Sequence, residues 1–255
     1  DIHRALERKE FVVYYQPQVD TNTGLIIGME ALVRWQHPHR GLISPVEFLP
    51  FAEDSRMIIS IDEMVLHTVC MQNKAWLDKG FSPLYAAVNL SAHTFQQNNL
   101  IELVTSVLKE TGMPPRLLEL EITEGAAMQN LEATIYNLTK LRELGIQIAL
   151  DDFGTGFSSL FYLKKFPINK LKISQHFVRD LTTDQNDKMI VGAVIALAHS
   201  LKFGVIAEGV ETNEQLDFLK QQHCTDIQGY LFHKPLSMAM FEELLSKNYP
   251  LHRLT

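Results

Sequence analysis

The chain has 255 residues, a hydrophobic fraction of 46% and a formal net charge of −7. That apolar share suits a packed globular domain and excludes a disordered chain, while the acidic balance disfavours phosphate-driven binding of DNA or RNA, so no nucleic acid is expected as a partner. There is neither an apolar run of about 18 residues nor a signal peptide, so the domain is expected to be cytoplasmic with no membrane contact of its own, even if a full-length protein is anchored elsewhere.

The chain opens at Asp1 in a helical stretch, IHRALERKE, without an initiator Met. Residues 1–255 are therefore expected to be one domain cut from a longer protein. Eight short β-rich runs follow: FVVYYQ (11–16), LIIGMEALVRW (25–35), YAAVNL (85–90), LELEI (118–122, with Leu117), QIALD (147–151), KLKIS (170–174), GVIAE (204–208) and DIQGYLF (226–232). Between them lie stretches with apolar residues at helical spacing, at 61–77, 131–144, 189–201 and 213–222. Strands alternating with helices predict an α/β fold, a (β/α)8 barrel, with a doubly wound open sheet as the alternative. One connection departs from the pattern. Only QVDTNTG (18–24), after Pro17, separates the first two strands, and a parallel crossover needs about a dozen residues or more. These strands should form an antiparallel hairpin in a modified barrel, with strand two running against the others. The two cysteines, Cys70 and Cys224, form no CxxC pair and are expected to be buried thiols.

In barrels of this kind the reacting groups come from the C-terminal ends of several strands. Here those ends carry Asn89, Glu121, Asp151 with Asp152, Lys172, and Glu208 with Glu211 beyond it. Strand eight adds Gln228, and strand two adds Glu30 and Arg34. Polar groups in apolar strands are costly unless satisfied. Five carboxylates (Glu30, Glu121, Asp151, Asp152, Glu208) facing one cavity cannot all ionise without cations. An all-oxygen donor set suits Mg²⁺ or Mn²⁺ better than zinc, and paired ions are a standard device for phosphodiester cleavage. Lys172 has two readings: positioning the attacking oxygen, or pairing structurally with the acids. GTG at 154–156 is a weak dinucleotide-turn signal, since the preceding aspartates would repel a bare pyrophosphate. The glycines are instead expected to act as hinges for a mobile loop at 153–159. His37 and His39 are expected to be exposed loop residues.

EALVRW (30–35), VNLS (88–91), LEITE (120–124) and DDFGTGFSSL (151–160) together resemble the EAL domain of bacterial cyclic di-GMP signalling. YQP (15–17), LKIS (171–174), AEGVE (207–211) and QGYLFHKP (228–235) agree with it, in order, over essentially the whole chain. The resemblance implies a modified TIM barrel with an antiparallel first strand pair. It also implies hydrolysis of cyclic di-GMP to linear pGpG with two divalent cations, Mg²⁺ or Mn²⁺, and inhibition by Ca²⁺. By position, Glu30, Asn89, Glu121 and Asp151 would hold the first ion, and Asp151, Asp152 and Glu208 the second. Lys172 would fix the attacking water, Arg34 would clamp a phosphate oxygen, and Gln16 and Gln228 would meet the nucleotide. Glu211 would support the ligands, and Glu124 would anchor the loop that carries Gly154 and Gly156. A homodimer and covalently attached sensory or GGDEF-type domains are implied as partners. Two positions depart from the family pattern: Ser174 stands where Asp is usual and Gly125 where Ser is usual.

Overall fold

The computed structural model describes residues 1–156 and 160–247. The chain begins with α1 (Ile2–Glu7), β1 (Phe11–Asp20), β2 (Ile26–His37), β3 (Gly41–Ile43), α2 (Pro45–Asp54), α3 (Ile58–Asp78) and β4 (Tyr85–Asn89). It continues through α4 (Ala92–Phe95), α5 (Leu100–Thr111), β5 (Leu118–Thr123), α6 (Glu124–Gln129), α7 (Leu131–Glu143) and β6 (Gln147–Phe153). Then come α8 (Leu160–Leu163), β7 (Lys170–Ile173), α9 (Gln175–Arg179), α10 (Gln185–Ser200), β8 (Gly204–Ala207), α11 (Asn213–Gln221), β9 (Asp226–Ile227), β10 (Leu236–Ser237) and α12 (Met238–Ser246).

Neighbouring strands run β1-β9-β8-β7-β6-β5-β4-β2, and β2 pairs back onto β1, closing an eight-stranded barrel. The short strands β3 and β10 pair outside the ring, on β2 and β1 respectively. The hairpin forms as expected, with Phe11 opposite Trp35 and Gln16 opposite Glu30. The reversed strand, however, is β1. β2 runs parallel to β4, and the series continues parallel through β9, whereas β1 is antiparallel to both β2 and β9. The sequence shows only that the pair is antiparallel; which partner follows the barrel direction is decided by β4 and β9. Asp20 builds the turn, its Oδ1 accepting from Asn22 N (3.1 Å) and Thr23 N (2.7 Å), and Gly24 takes a φ of +70° to leave it. The last barrel strand is shorter than expected, so Gln228 lies just beyond β9, although its N–H still donates to Ala207 C=O at 2.9 Å.

The apolar core lies between the outer barrel face and the helices. Leu118, Leu120, Ile122, Leu171, Ile173 and Val205 join one buried cluster with Val69, Val104, Leu138, Val191 and Ile195, each full burial contributing roughly 1.5–3 kcal/mol. Where α12 meets β1 and α3, the Tyr15 and Trp76 rings lie 5.1 Å apart and the Trp76 and Phe241 rings 5.3 Å apart. Trp76 Nε1 donates to Glu242 Oε2 at 2.9 Å. Both cysteines are buried and free. No helix among the described residues is long and apolar enough to cross a membrane.

Candidate active site

Strand side chains alternate between faces with a period of two, so the register fixes which of them share the barrel interior. Gln16 opposes Glu30, Glu30 opposes Ala87, Asn89 opposes Glu121, Glu121 opposes Ala149, and Lys172 opposes Ile206. Counting by two from each, Glu30, Asn89, Glu121, Asp151, Lys172, Glu208 and Gln228 fall on the inner face. The small residues Ala87 and Ala149, both fully buried on that face, leave space that the longer acids and lysines fill.

Lys172 is fully buried at the centre of the acids. Its Nζ lies 2.6 Å from Glu121 Oε2, 2.7 Å from Glu208 Oε1, 3.5 Å from Asp151 Oδ1 and 3.8 Å from Glu30 Oε2. Burial alone would depress this ammonium, but the surrounding carboxylates, Glu121 foremost, outweigh it and hold its pKa well above the usual lysine value. Burial pushes the Glu121 carboxyl well above the ordinary range, against the pull of Lys172, and pushes Glu208 upward for the same reason. Asn89 Nδ2 donates to Glu30 Oε1 at 2.6 Å, which turns the amide nitrogen towards the acid. Asp151 Oδ1 accepts from Asp152 N at 2.8 Å.

Oxygen donors suit a hard divalent cation, and two features of this mouth fit one. Four carboxylates lie within 4 Å of one buried ammonium, more acid than a single lysine neutralises. Glu121 Oε1 is buried without a hydrogen-bond partner, an expensive state for a carboxylate oxygen that a cation would relieve. In the arrangement seen here the acids close on Lys172, and no three Asp, Glu, His or Cys side chains among the described residues are spaced to share an ion.

The remaining predicted residues divide into those at the mouth and those away from it. Gln228 Nε2 donates to Gln16 Oε1 at 3.2 Å and makes a short bond to Glu30 Oε2, while Gln16 Nε2 donates to His233 C=O at 3.2 Å. Both glutamines are buried, so a nucleotide reaches them only by exchanging those bonds. Arg34 is half-buried near Glu30 and Tyr230 and lies 5.9 Å from the centre of the Tyr14 ring. Glu124 is buried and accepts from Gly154 N at 3.0 Å. Glu211 is exposed, and its backbone N–H donates to Gln215 Oε1 at 2.7 Å. Gly154 has a φ of +94°, and a Cβ on Gly156 would come 2.7 Å from Glu124 Oε1. Left-handed backbone at Gly154 and the close approach of Glu124 at Gly156 each favour glycine. Residues 157–159 of the expected mobile loop lie outside the described residues. A Cβ on Gly125 would meet nothing within 4 Å, and nothing in the structure explains the glycine there.

A second polar layer lies one step deeper in the barrel. Lys170 Nζ is 3.0 Å from Glu119 Oε2 and 3.8 Å from Asp226 Oδ2, and Gln18 Nε2 donates to Gln228 Oε1 at 3.2 Å. Sequence reasoning passed over these residues although the same period of two marks them: each stands two positions from a residue it selected (119 from 121, 170 from 172, 226 from 228, 18 from 16).

The fold and this mouth define a modified (β/α)8 barrel with an acidic, oxygen-rich centre at the C-terminal ends of its parallel strands. The EAL domain family model matches residues 1–235, and the chain belongs to that family. It is 44% identical over 236 residues to the bifunctional diguanylate cyclase/cyclic di-GMP phosphodiesterase MucR of Pseudomonas aeruginosa, covering 92% of this chain and 34% of that protein. It is 41% identical over 245 residues to the cyclic di-GMP phosphodiesterase NbdA of the same organism, covering 96% and 31%. A solved structure of a PaMucR phosphodiesterase in a c-di-GMP complex matches with a TM-score of 0.92 at 43% identity, over 94% of this chain and 98% of that one. The chain spans about a third of the length of these curated relatives.

Proposed function

We propose that this chain hydrolyses cyclic di-GMP to linear pGpG. The observation that carries the reading is the cluster of Glu30, Glu121, Asp151 and Glu208 around buried Lys172, with Asn89 bonded to Glu30 and Asp152 to Asp151, in a member of a family whose similar relatives are named cyclic di-GMP phosphodiesterases. Glu30, Asn89, Glu121 and Asp151 would hold one divalent cation, and Asp151, Asp152 and Glu208 a second. When bound, Mg²⁺ or Mn²⁺ supplies the charge that acidifies a water and neutralises phosphoryl oxygens. Ca²⁺, larger and less demanding in geometry, should occupy the donors and inhibit.

The chain's own groups do the rest. Lys172 spends its closest contacts on Glu121 and Glu208; were those acids to hold cations, its N–H donors would be free to orient the attacking water. Arg34 neutralises a non-bridging phosphate oxygen, and Gln16 and Gln228 exchange their mutual bond for the nucleotide. The water oxygen forms the new bond to phosphorus and gives up a proton, the bond from phosphorus to the 3′ oxygen breaks, and the departing oxygen takes up a proton from solvent, so that water is added across the bond overall. Displacement at phosphorus runs in line, so the 3′ oxygen departs opposite the attacking water.

In this reading the chain is the catalytic part of a longer, multidomain cytoplasmic signalling protein with attached sensory or GGDEF-type domains, and it works as a homodimer. The length of the curated relatives supports the attached domains. The test is incubation of the purified chain with cyclic di-GMP and Mg²⁺ or Mn²⁺, with pGpG followed by chromatography. Tight binding without turnover in either metal would replace the reading with that of a cyclic di-GMP receptor.

A further inference from the structure

The turn after β6 is built around an aspartate in an unusual backbone state. Asp152 has a φ of +52°, a left-handed conformation that residues other than glycine keep only where their surroundings hold them. Its N–H donates to Asp151 Oδ1 at 2.8 Å, and its C=O accepts from Thr155 N (3.2 Å) and Thr155 Oγ1 (2.8 Å). The side chain is held from another strand: Ser174 Oγ, fully buried just past β7, donates to Asp152 Oδ1 at 2.8 Å.

A serine hydroxyl has one proton and two lone pairs. At Ser174 a lone pair faces His176 N, 3.5 Å away at the start of α9, and the proton is left for Asp152. An ionised aspartate, the usual residue of the family here, has no proton to give and would set a sixth carboxylate against Asp152. The serine in this chain therefore changes the mouth in two ways at once: it removes a charge and adds a directed donor.

We propose that Ser174 is a positioning residue for Asp152. It occupies Oδ1 and fixes the carboxylate plane so that Oδ2 is the oxygen presented to a cation. The inference rests on the two-cation reading above. It separates Ser174 from a helix cap, since a cap would affect stability and leave cation affinity alone.

The test is Mn²⁺ binding to the metal-stripped full chain without substrate, followed by electron paramagnetic resonance of free Mn²⁺ and by calorimetry, with thermal melts beside it. The wild-type chain should bind two Mn²⁺. Ser174→Ala should weaken one of the two by roughly threefold to tenfold, the loss of one hydrogen bond, and leave the other unchanged. Ser174→Thr, which keeps the hydroxyl, should restore the affinity. If its extra methyl lowers the melting temperature, the double variant carries the test: on an Asp152→Ala background, Ser174→Ala should change Mn²⁺ affinity less than about twofold. Two Mn²⁺ bound to Ser174→Ala with wild-type affinities, or an undiminished effect on the Asp152→Ala background, would overturn the inference and leave the two-cation reading standing. A wild-type chain that binds only one Mn²⁺ would overturn both.

Discussion

Replacing Lys172 with Met tests the electrostatics of the mouth directly, because Met keeps the length of the side chain and removes its charge. The ammonium is fully buried and lies within 4 Å of four carboxylates, two of them at 2.6 and 2.7 Å. Removing one partner of a buried ion pair costs about 3–5 kcal/mol. For a chain of this size, at about 2–4 °C per kcal/mol, the melting temperature should fall by about 6–20 °C. The loss should also depend on pH, with a definite sign. Glu121 and Glu208 are raised above the ordinary glutamate value of 4.5. The folded state therefore binds more protons than the unfolded state above that value, and stability falls as pH climbs towards the folded pKa values. Lys172, raised above 10.5, stays charged throughout this window and contributes a constant term. Metal-free wild-type protein should thus be less stable at pH 8 than at pH 5. The Lys172→Met variant should lose more over the same interval, because its acids have lost the ammonium that offsets their charge. Scanning calorimetry in EDTA at the two pH values measures both effects. A variant as stable as the wild type at pH 8, or one whose deficit is the same at pH 5 and pH 8, would refute the reasoning.

Glu30→Ala and Asp151→Ala, each removing a proposed cation ligand, should each lower pGpG formation by about a hundredfold, while far-ultraviolet circular dichroism stays that of the wild type. Gly229→Ala places a Cβ 2.0 Å from Val210 C=O and 2.3 Å from Val210 N; backbone cannot yield as a side chain does, so urea unfolding should register a loss of about 3 kcal/mol or more. Asp62 is buried and accepts from Thr94 Oγ1 at 2.6 Å and Ser91 N at 2.9 Å. Asp62→Ala strands both donors just after β4 and should cost about 1–3 kcal/mol in the same measurement.

The architecture was largely legible in the sequence because its signals are local. A short β-rich run followed by an amphipathic stretch marks each β/α unit, and seven residues between two strands allow only a hairpin. The mouth was legible for a related reason. A carboxylate ending an apolar strand is costly wherever it goes, so Glu121, Asp151 with Asp152, and Glu208 stood out one by one. What the sequence left open depended on partners far along the chain. The reversal of β1 follows from its pairing with β9, about two hundred residues away. The deeper layer of Glu119, Lys170 and Asp226 exists because Ala149 on the intervening strand lets a lysine of β7 reach an acid of β5. The crowding of Gly156 by Glu124, thirty-two residues earlier, shows only in the fold. Ser174 reads as a missing acid in the sequence, and only the fold sets its hydroxyl 2.8 Å from Asp152 Oδ1. Periodicity and charge determine which residues face inward; only closure of the barrel decides which of them touch, because those contacts join strands that the chain itself keeps apart.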